Sequence, residues 1–152
     1  MSRGKSIHIV NLVKEQKALD HKDTELGEIA LHYPGLGPHN SPAKEAWVSL
    51  IHVKPGRKST FHLHPKNEEF FFVISGEGIC RERHEEQVYE YAVSADDLIV
   101  APQGVAKQII NTGSEVMRLV QVYAPPPAAP SLEHIVENEE LAVHIEGSGK
   151  LM

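Results

Sequence analysis

The sequence is poor in cysteine and contains no long apolar run. Cys80 is the single cysteine among 152 residues, which excludes an intramolecular disulfide and fits a reducing compartment. No apolar run approaches the ~20 residues that are needed to cross a bilayer. The amino-terminal segment lacks the apolar core of a signal peptide. We therefore expect a cytoplasmic protein that does not bind a membrane.

Positive charge is also scarce. Lysine and arginine number 15 against 21 acidic residues, so the formal net charge is −6 with histidine neutral. No face rich in lysine and arginine is apparent that would neutralise phosphates. Nucleic acid is therefore not expected as a partner.

The middle of the chain lacks the 3.6-residue apolar period of helices and carries short β-rich runs instead. The runs recur at roughly 8–12 residues and are separated by glycine-, proline- and asparagine-containing turns, a pattern typical of a sandwich or barrel. They read WVSLIHV, TFHLH, EEFFFVI, EGICRER, QVYEYAV, DLIVA, AKQII and VMRLVQVY. Because crossover helices are absent from this pattern, a parallel βαβ architecture is disfavoured. The sequence predicts an all-β fold.

Changes in composition along the chain divide it into three parts of one structural domain. Ile7–Val13 and Gly27–Tyr33 are strand-like, and Ser131 is placed to cap a short helix that extends to Glu140. The three parts are 1–45, amino-terminal strands and a loop that pack on the barrel; 46–124, the barrel; and 125–152, a proline-rich spacer and tail.

The segment from Gly56 to Gly76 carries candidate metal ligands. His62 and His64 project to the same face if they lie on a strand, because side chains alternate there. Glu69 follows a turn and can face both imidazoles from the next strand. Two imidazoles and one carboxylate suit iron, manganese, nickel or zinc as a divalent metal. An isolated His-x-His is also common on ordinary strands, so the spacing alone does not decide.

The surrounding residues resemble the first motif of the cupin superfamily. That motif is glycine, five residues, His-x-His, three or four residues, glutamate, six residues and glycine, and Gly56, His62, His64, Glu69 and Gly76 match every fixed position. The resemblance covers roughly residues 46–123. It implies a double-stranded β-helix, also called a jelly-roll barrel, and a homodimer. It also implies a function in the dioxygenase, decarboxylase or isomerase class.

The second cupin motif matches with one important departure. Pro102, Gly104 and Asn111 stand at motif positions, whereas Asp96 replaces the usual glycine. Lys107 occupies the position of the histidine that is the fourth metal ligand in the family. A protonated lysine has no lone pair and cannot bind a metal.

Lys107 leaves two alternatives open. In the first, a metal stays on His62, His64 and Glu69, and Lys107 acts as a base or pairs with an anionic substrate, so that Lys107 and both histidines are candidate catalytic residues. In the second, the Lys107 ammonium pairs with Glu69 in place of the metal. The protein would then be a metal-free cupin that binds a small anionic or sugar-like ligand, or a metal-free acid–base catalyst that uses His62 and His64.

The sequence also suggests positions in the fold for five further residues. His52 is expected at an edge of the fold, with a replacement ligand role as the alternative. His84 is expected at a solvated hairpin tip, and Cys80 as a small buried apolar residue. Arg81 and Tyr123 are candidates for lining the pocket, although charged strand residues usually face water.

Overall fold

All eight β-rich runs of the middle segment contain a strand in the structure. The structure is a computed structural model and describes residues 2–3, 6–23, 27–59, 61–126, 135–136 and 142–145. In chain order the elements are β1 Ser2–Arg3, β2 His8–Ile9, α1 Leu12–Glu15, β3 Leu19–Asp23, β4 Gly27–Leu36, β5 Trp47–Val53, β6 His62–Leu63, β7 Glu68–Ser75, β8 Glu77–His84, β9 Gln87–Ser94, β10 Leu98–Ala101, β11 Ala106–Asn111, β12 Met117–Ala124, β13 Ile135–Val136 and β14 Ala142–Ile145.

The strands form two large sheets and one small one. The first large sheet has the order β10-β7-β12-β5-β4-β3, and the second has the order β13-β6-β11-β8-β9-β14. Strands β1 and β2 pair with each other. Pairing is antiparallel throughout the described sheets except between β14 and β9, which run parallel. The predicted all-β class is confirmed.

The main apolar core lies between the inner faces of the two large sheets. Strand β12 shows the alternation that produces such a face, with every second residue buried from Met117 to Tyr123. Val73 and Leu119 come from the first sheet and pack with Cys80 and Ile109 of the second. Toward the end of the barrel that contains His62, polar side chains replace the apolar ones on these inner faces, and the candidate site lies there.

The turns explain the glycines of the sequence pattern. Gly56, Gly76 and Gly104 have φ angles of 70°, 95° and 75°, a region in which side-chain-bearing residues are strained. Asp96, which replaces the usual motif glycine, has a φ of 75°. Aspartate tolerates this conformation better than most residues because its short side chain bonds nearby backbone. The position therefore keeps the glycine-like turn although the residue differs.

The amino-terminal region differs in part from the expectation. The strand predicted over Ile7–Val13 is limited to His8–Ile9, and a short helix begins at Leu12. The Asn11 side chain accepts a hydrogen bond of 3.0 Å from the Lys14 amide, which caps this helix. The strand predicted over Gly27–Tyr33 is confirmed within β4.

The helix predicted from Ser131 to Glu140 lies mostly outside the described residues. Its two described residues, Ile135 and Val136, form strand β13 and pair with Leu63 and His62. Both are β-branched, which favours extended pairing over a helical turn. Among the described residues, no helix has both the length and the apolar character required to cross a membrane.

Candidate metal centre

The two histidines of the first motif lie side by side at the end of a short strand. His62 belongs to β6 and is half-buried, whereas His64 follows the strand and is buried. Their ring centroids are 5.0 Å apart and the rings are nearly perpendicular. The His64 carbonyl accepts a backbone hydrogen bond of 3.0 Å from Gly104, which anchors the turn beside it.

Glu69 reaches the histidines from the facing sheet. It lies on β7 with its side chain inward, only 1% exposed. Its Oε1 is 3.0 Å from Nε2 of His64. One ligand atom from each of His62, His64 and Glu69 lies within 4.8 Å of the other two. The structure thus brings together the three residues that the sequence proposes as metal ligands.

Lys107 also faces this cluster. It pairs with His62 in the β11–β6 register and its side chain is buried. Its ammonium contacts Oε1 of Glu69, the same oxygen that approaches His64. One carboxylate oxygen therefore faces both an imidazole that can bind a metal and a cation that competes with a metal.

The other oxygen of Glu69 is held from the neighbouring strand. Gln121 on β12 donates a hydrogen bond of 2.7 Å from Nε2 to Glu69 Oε2. The Ser49 hydroxyl in turn donates to Gln121 Oε1 at 3.3 Å, which orients the amide. Sequence reasoning missed Ser49 and Gln121. The signal that could have identified Gln121 is the alternation of β12, which places it on the inner face with Leu119 and Tyr123.

Tyr123 contacts the cluster from β12. Its ring lies edge-on to His64, with centroids 5.5 Å apart, and its hydroxyl oxygen accepts a hydrogen bond from Gln121. Burial, aided by the negative charge of Glu69, raises the pKa of Tyr123 well above its usual value. The phenol therefore stays protonated at neutral pH and can donate to a bound molecule.

Arg81, the other lining candidate, has its ion pair on the outer side of the second sheet. There it pairs with Glu90, with Nη2 and Oε1 2.7 Å apart, and it donates to Gln108.

His52 does not join the cluster either. Its ring lies edge-on to Tyr33 at 5.2 Å, and its Nε2 accepts a hydrogen bond from Arg118. The replacement-ligand alternative for His52 is therefore wrong.

A second polar group lies beside Lys107 on the inner face of β8. Glu82 is the direct cross-strand partner of Lys107, and its side chain is 28% exposed. The Tyr91 hydroxyl donates to Glu82 Oε1, and His84 Nε2 lies 3.1 Å from Oε2. The sequence does not single out Glu82, because the facing direction of β8 depends on its register with β11.

Cys80 is buried next to this group, as predicted. Burial chiefly raises the pKa of its thiol to about 12; the charge of Glu82 adds to the rise and that of Lys107 opposes it. A thiol with so high a pKa is protonated at neutral pH and is a poor nucleophile. Asn111 of the second motif has a structural role, since its amide donates to the Val53 and Glu115 carbonyls.

The residues fit a divalent transition metal in donor type and in spacing. Two imidazole nitrogens and a carboxylate oxygen suit iron, manganese, nickel or zinc. All three ligand atoms lie within 4.8 Å of one another. Among the residues that the structure describes, the contact between Lys107 and Glu69 opposes occupancy.

The fold defines a double-stranded β-helix protein with a cluster of buried polar side chains at one end of the barrel. The Cupin domain family matches residues 49–123. Together with the two-sheet fold and the complete first motif, this match shows that the chain belongs to the cupin superfamily.

Two relatives and one solved structure illustrate the similarity. The chain is 29% identical to the uncharacterized protein YrkC of Bacillus subtilis (strain 168), over 55% of this chain and 46% of YrkC. It is 28% identical to the polyketide synthase CurC of Streptomyces cyaneus, over 66% of this chain and 62% of CurC. The oxalate decarboxylase of Lactobacillus farciminis superposes with a TM-score of 0.66 at 18% identity, over 82% of this chain and 34% of that one.

The chain therefore spans less than two thirds of the length of each of these three proteins. Because the identity to the oxalate decarboxylase is only 18%, the superposition shows a shared fold and nothing more.

Proposed function

We propose that this chain is a metal-dependent cupin that acts on a small organic molecule, in the dioxygenase, decarboxylase or isomerase class. His62, His64 and Glu69 would hold the metal. The observation that carries the proposal is the convergence of these three donors within 4.8 Å, two of them buried.

The pocket residues support the binding of an oxygen-bearing substrate. A bound metal would polarise a substrate oxygen or activate dioxygen. Tyr123 would donate a hydrogen bond to the substrate, because its raised pKa keeps the phenol protonated. Lys107 would supply a cation or a proton from β11. Three protein ligands leave further metal positions for the substrate itself.

Charge favours an anionic substrate group. With neutral histidines, Glu69, Glu82, Lys107 and a dication carry a total charge of +1. A carboxylate or enolate oxygen would lower this charge, whereas a cationic ligand would raise it. The name of the relative CurC, a polyketide synthase, is compatible with a small organic substrate of this type.

Metal analysis of untagged protein tests the proposal. We expect close to one bound metal per chain after reconstitution with Fe²⁺ or Mn²⁺, and strong loss in Glu69→Gln and His64→Ala, since each removes a ligand. Glu68→Gln is the matched control, because Glu68 precedes Glu69 on the same strand but is exposed. Less than ~0.1 metal per chain in the reconstituted protein would contradict a metal site.

A metal-free cupin is the second candidate, favoured by the contact between Lys107 and Glu69. In this case the ammonium neutralises the carboxylate, and the pocket binds a small anionic or sugar-like ligand directly. Lys107→His separates the two candidates. It would supply the missing fourth ligand, so a protein that binds no metal as wild type but binds one as Lys107→His would favour the metal-free candidate.

We also propose that the protein is a cytoplasmic homodimer, as the cupin resemblance implies. The dimer is supported by an apolar outer face on the first sheet, formed by Val48, Phe72, Leu98 and Val100, whose side chains are 39–65% exposed. Exposed apolar patches of this kind mark association surfaces in many proteins. The single cysteine supports the location, since it excludes an intramolecular disulfide.

A further inference from the structure

The inference concerns the competition between Lys107 and a metal for Glu69. The Lys107 ammonium contacts Oε1 of Glu69, and the same oxygen approaches His64. A metal that binds His64 and this oxygen must displace the ammonium. Lys107 is buried, so leaving its charge without a partner would cost several kcal/mol. Metal binding is therefore favourable only if Lys107 finds another anion.

Glu82 is placed to be that anion. Lys107 and Glu82 are direct partners in the antiparallel pair of β11 and β8. Such partners point to the same side of a sheet, with Cβ atoms about 4.5–5.5 Å apart, well within the length of a lysine side chain. Two residues along the same strands, Ile109 and Cys80 are also direct partners and lie in the apolar core, so Lys107 and Glu82 point to the barrel interior as well.

The present contacts of Glu82 allow it to accept an ammonium. Tyr91 donates to one carboxylate oxygen and His84 approaches the other, which holds the carboxylate in place. An ionised carboxylate offers about four acceptor positions, so these contacts leave capacity for a lysine. Glu90, on the adjacent strand, cannot substitute because it pairs with Arg81 on the outer side of the sheet.

We infer that Glu82 is a positioning residue for the metal centre: it receives the Lys107 ammonium when a metal engages Glu69. Lys107 thereby alternates between two carboxylates, Glu69 on the facing sheet and Glu82 on its own sheet. The buried cation stays paired in both states. The inference rests on the proposed metal site, and it explains how a cupin with lysine in place of the fourth ligand can still load a metal.

A double-mutant cycle tests the exchange. The Kd for Co²⁺ is measured by titration of its visible absorption bands in wild type, Glu82→Gln, Lys107→Met and the double variant. We expect Glu82→Gln to weaken binding by about tenfold or more, equivalent to ~1.4 kcal/mol, because Lys107 then loses the carboxylate that receives it. Lys107→Met should bind at least as tightly as wild type.

The double variant is the decisive member of the cycle. We expect it to bind Co²⁺ within about twofold of Lys107→Met, because without the ammonium Glu82 has no role in loading. This result would also show that the Glu82→Gln change does not unfold the barrel. Glu90→Gln is the matched control, since it removes the same charge from the neighbouring strand on the outer side. It should bind as wild type does.

Each contrary outcome has a distinct meaning. If Glu82→Gln weakens binding equally with and without Lys107, Glu82 acts through space on the metal and the exchange is refuted. If wild type and Glu82→Gln bind alike, the exchange is also refuted while the metal site stands. If neither wild type nor Lys107→Met binds Co²⁺, the proposed function itself fails. Binding by Lys107→Met but not by wild type would mean that Lys107 never leaves Glu69.

Discussion

The two oxygens of the Glu69 carboxylate have different neighbours, and this asymmetry organises the candidate site. Oε2 accepts a hydrogen bond from Gln121, whereas Oε1 faces His64 and Lys107. Because Gln121 occupies one oxygen, the other is the one directed at a cation. Ser49 fixes the amide of Gln121 and so stabilises this orientation from a third strand.

Gln121→Leu should therefore weaken metal binding without removing a ligand. We expect the Kd for Co²⁺ to rise by about tenfold, because the unpaired buried oxygen costs roughly 1–3 kcal/mol and lets the carboxylate rotate. Ser49→Ala keeps the bond from Gln121 to Glu69 and should have a smaller effect. Equal affinities in Gln121→Leu and wild type would show that the hydrogen bond does not position Glu69.

His52 shows how a histidine outside the site affects stability. Burial, and to a lesser extent the charge of Arg118, lowers the pKa of His52 below its usual 6.5. The unfolded chain therefore binds a proton more readily than the folded chain does. The stability contributed by neutral His52 is present above its unfolded pKa and is lost as the pH falls through that value toward the lower folded pKa.

The corresponding prediction is a change in the slope of stability with pH. Between about pH 7 and pH 5, the free energy of unfolding should fall less in His52→Gln than in wild type. Arg118→Gln should also reduce the slope, since it removes a like charge beside the protonated ring. Urea unfolding at several pH values measures this, and a His52→Gln slope identical to wild type would contradict the assignment.

At the scale of elements, close pairing of β8 with β11 places Glu82 next to Lys107. Gly78 begins this pairing opposite Asn111. A Cβ added at Gly78 would lie 2.0 Å from the Ile110 carbonyl oxygen, a distance that no backbone tolerates. The glycine is required here because the strands approach closely.

Gly78→Ala should accordingly destabilise the fold by about 3 kcal/mol through overpacking of backbone against backbone. Gly113→Ala is a suitable comparison, because its added Cβ would meet the Glu77 Cγ at 3.3 Å, and Glu77 is exposed. We expect a loss of less than about 0.5 kcal/mol there. Thermal unfolding of both variants provides the measurement, and similar melting temperatures would contradict the steric argument.

Element prediction from sequence succeeds where the local pattern is strong. Strands β7 and β12 alternate cleanly between buried and less buried residues, so their extent and inner face follow from the sequence. The prediction is wrong over part of Ile7–Val13, where the Asn11 cap favours a helical turn. Capping depends on a specific side-chain bond, which an apolar pattern does not reveal.

At the scale of the whole molecule, the apolar outer face of the first sheet is the feature that the fold leaves exposed. Leu98 pairs with Phe72 across β10 and β7, and β10 is an edge strand of that sheet. Exposed apolar edges promote association. The proposed homodimer would cover this face with the same face of a second copy.

Leu98→Lys combined with Val100→Lys should convert the dimer to a monomer. Two buried charges on each copy would be costly to desolvate in the interface. Sedimentation equilibrium measures the mass, with Glu86→Lys as a control at an exposed hairpin position. A wild-type protein that sediments as a monomer would refute the dimer, and dimeric Leu98→Lys/Val100→Lys protein would refute this face as its interface.

The sequence by itself determined the all-β class, the strands of the barrel and the first-motif residues His62, His64 and Glu69. These depend on alternation and on short spacings that a chain carries locally. Tertiary structure decided which of Arg81, Tyr123 and His52 would reach the pocket. It also brought in Ser49, Gln121 and Glu82, which no local pattern identifies.

The contact of Lys107 with Glu69 was also decided by the tertiary structure. It joins two sheets across 38 positions of sequence, and its formation depends on how the sheets pack and how β11 pairs with β6 and β8. A one-residue shift in register would turn Lys107 to the outer side of the sheet. The sequence therefore raises the question of whether a metal or the Lys107 ammonium pairs with Glu69. The packing of the folded barrel determines which of these contacts can form.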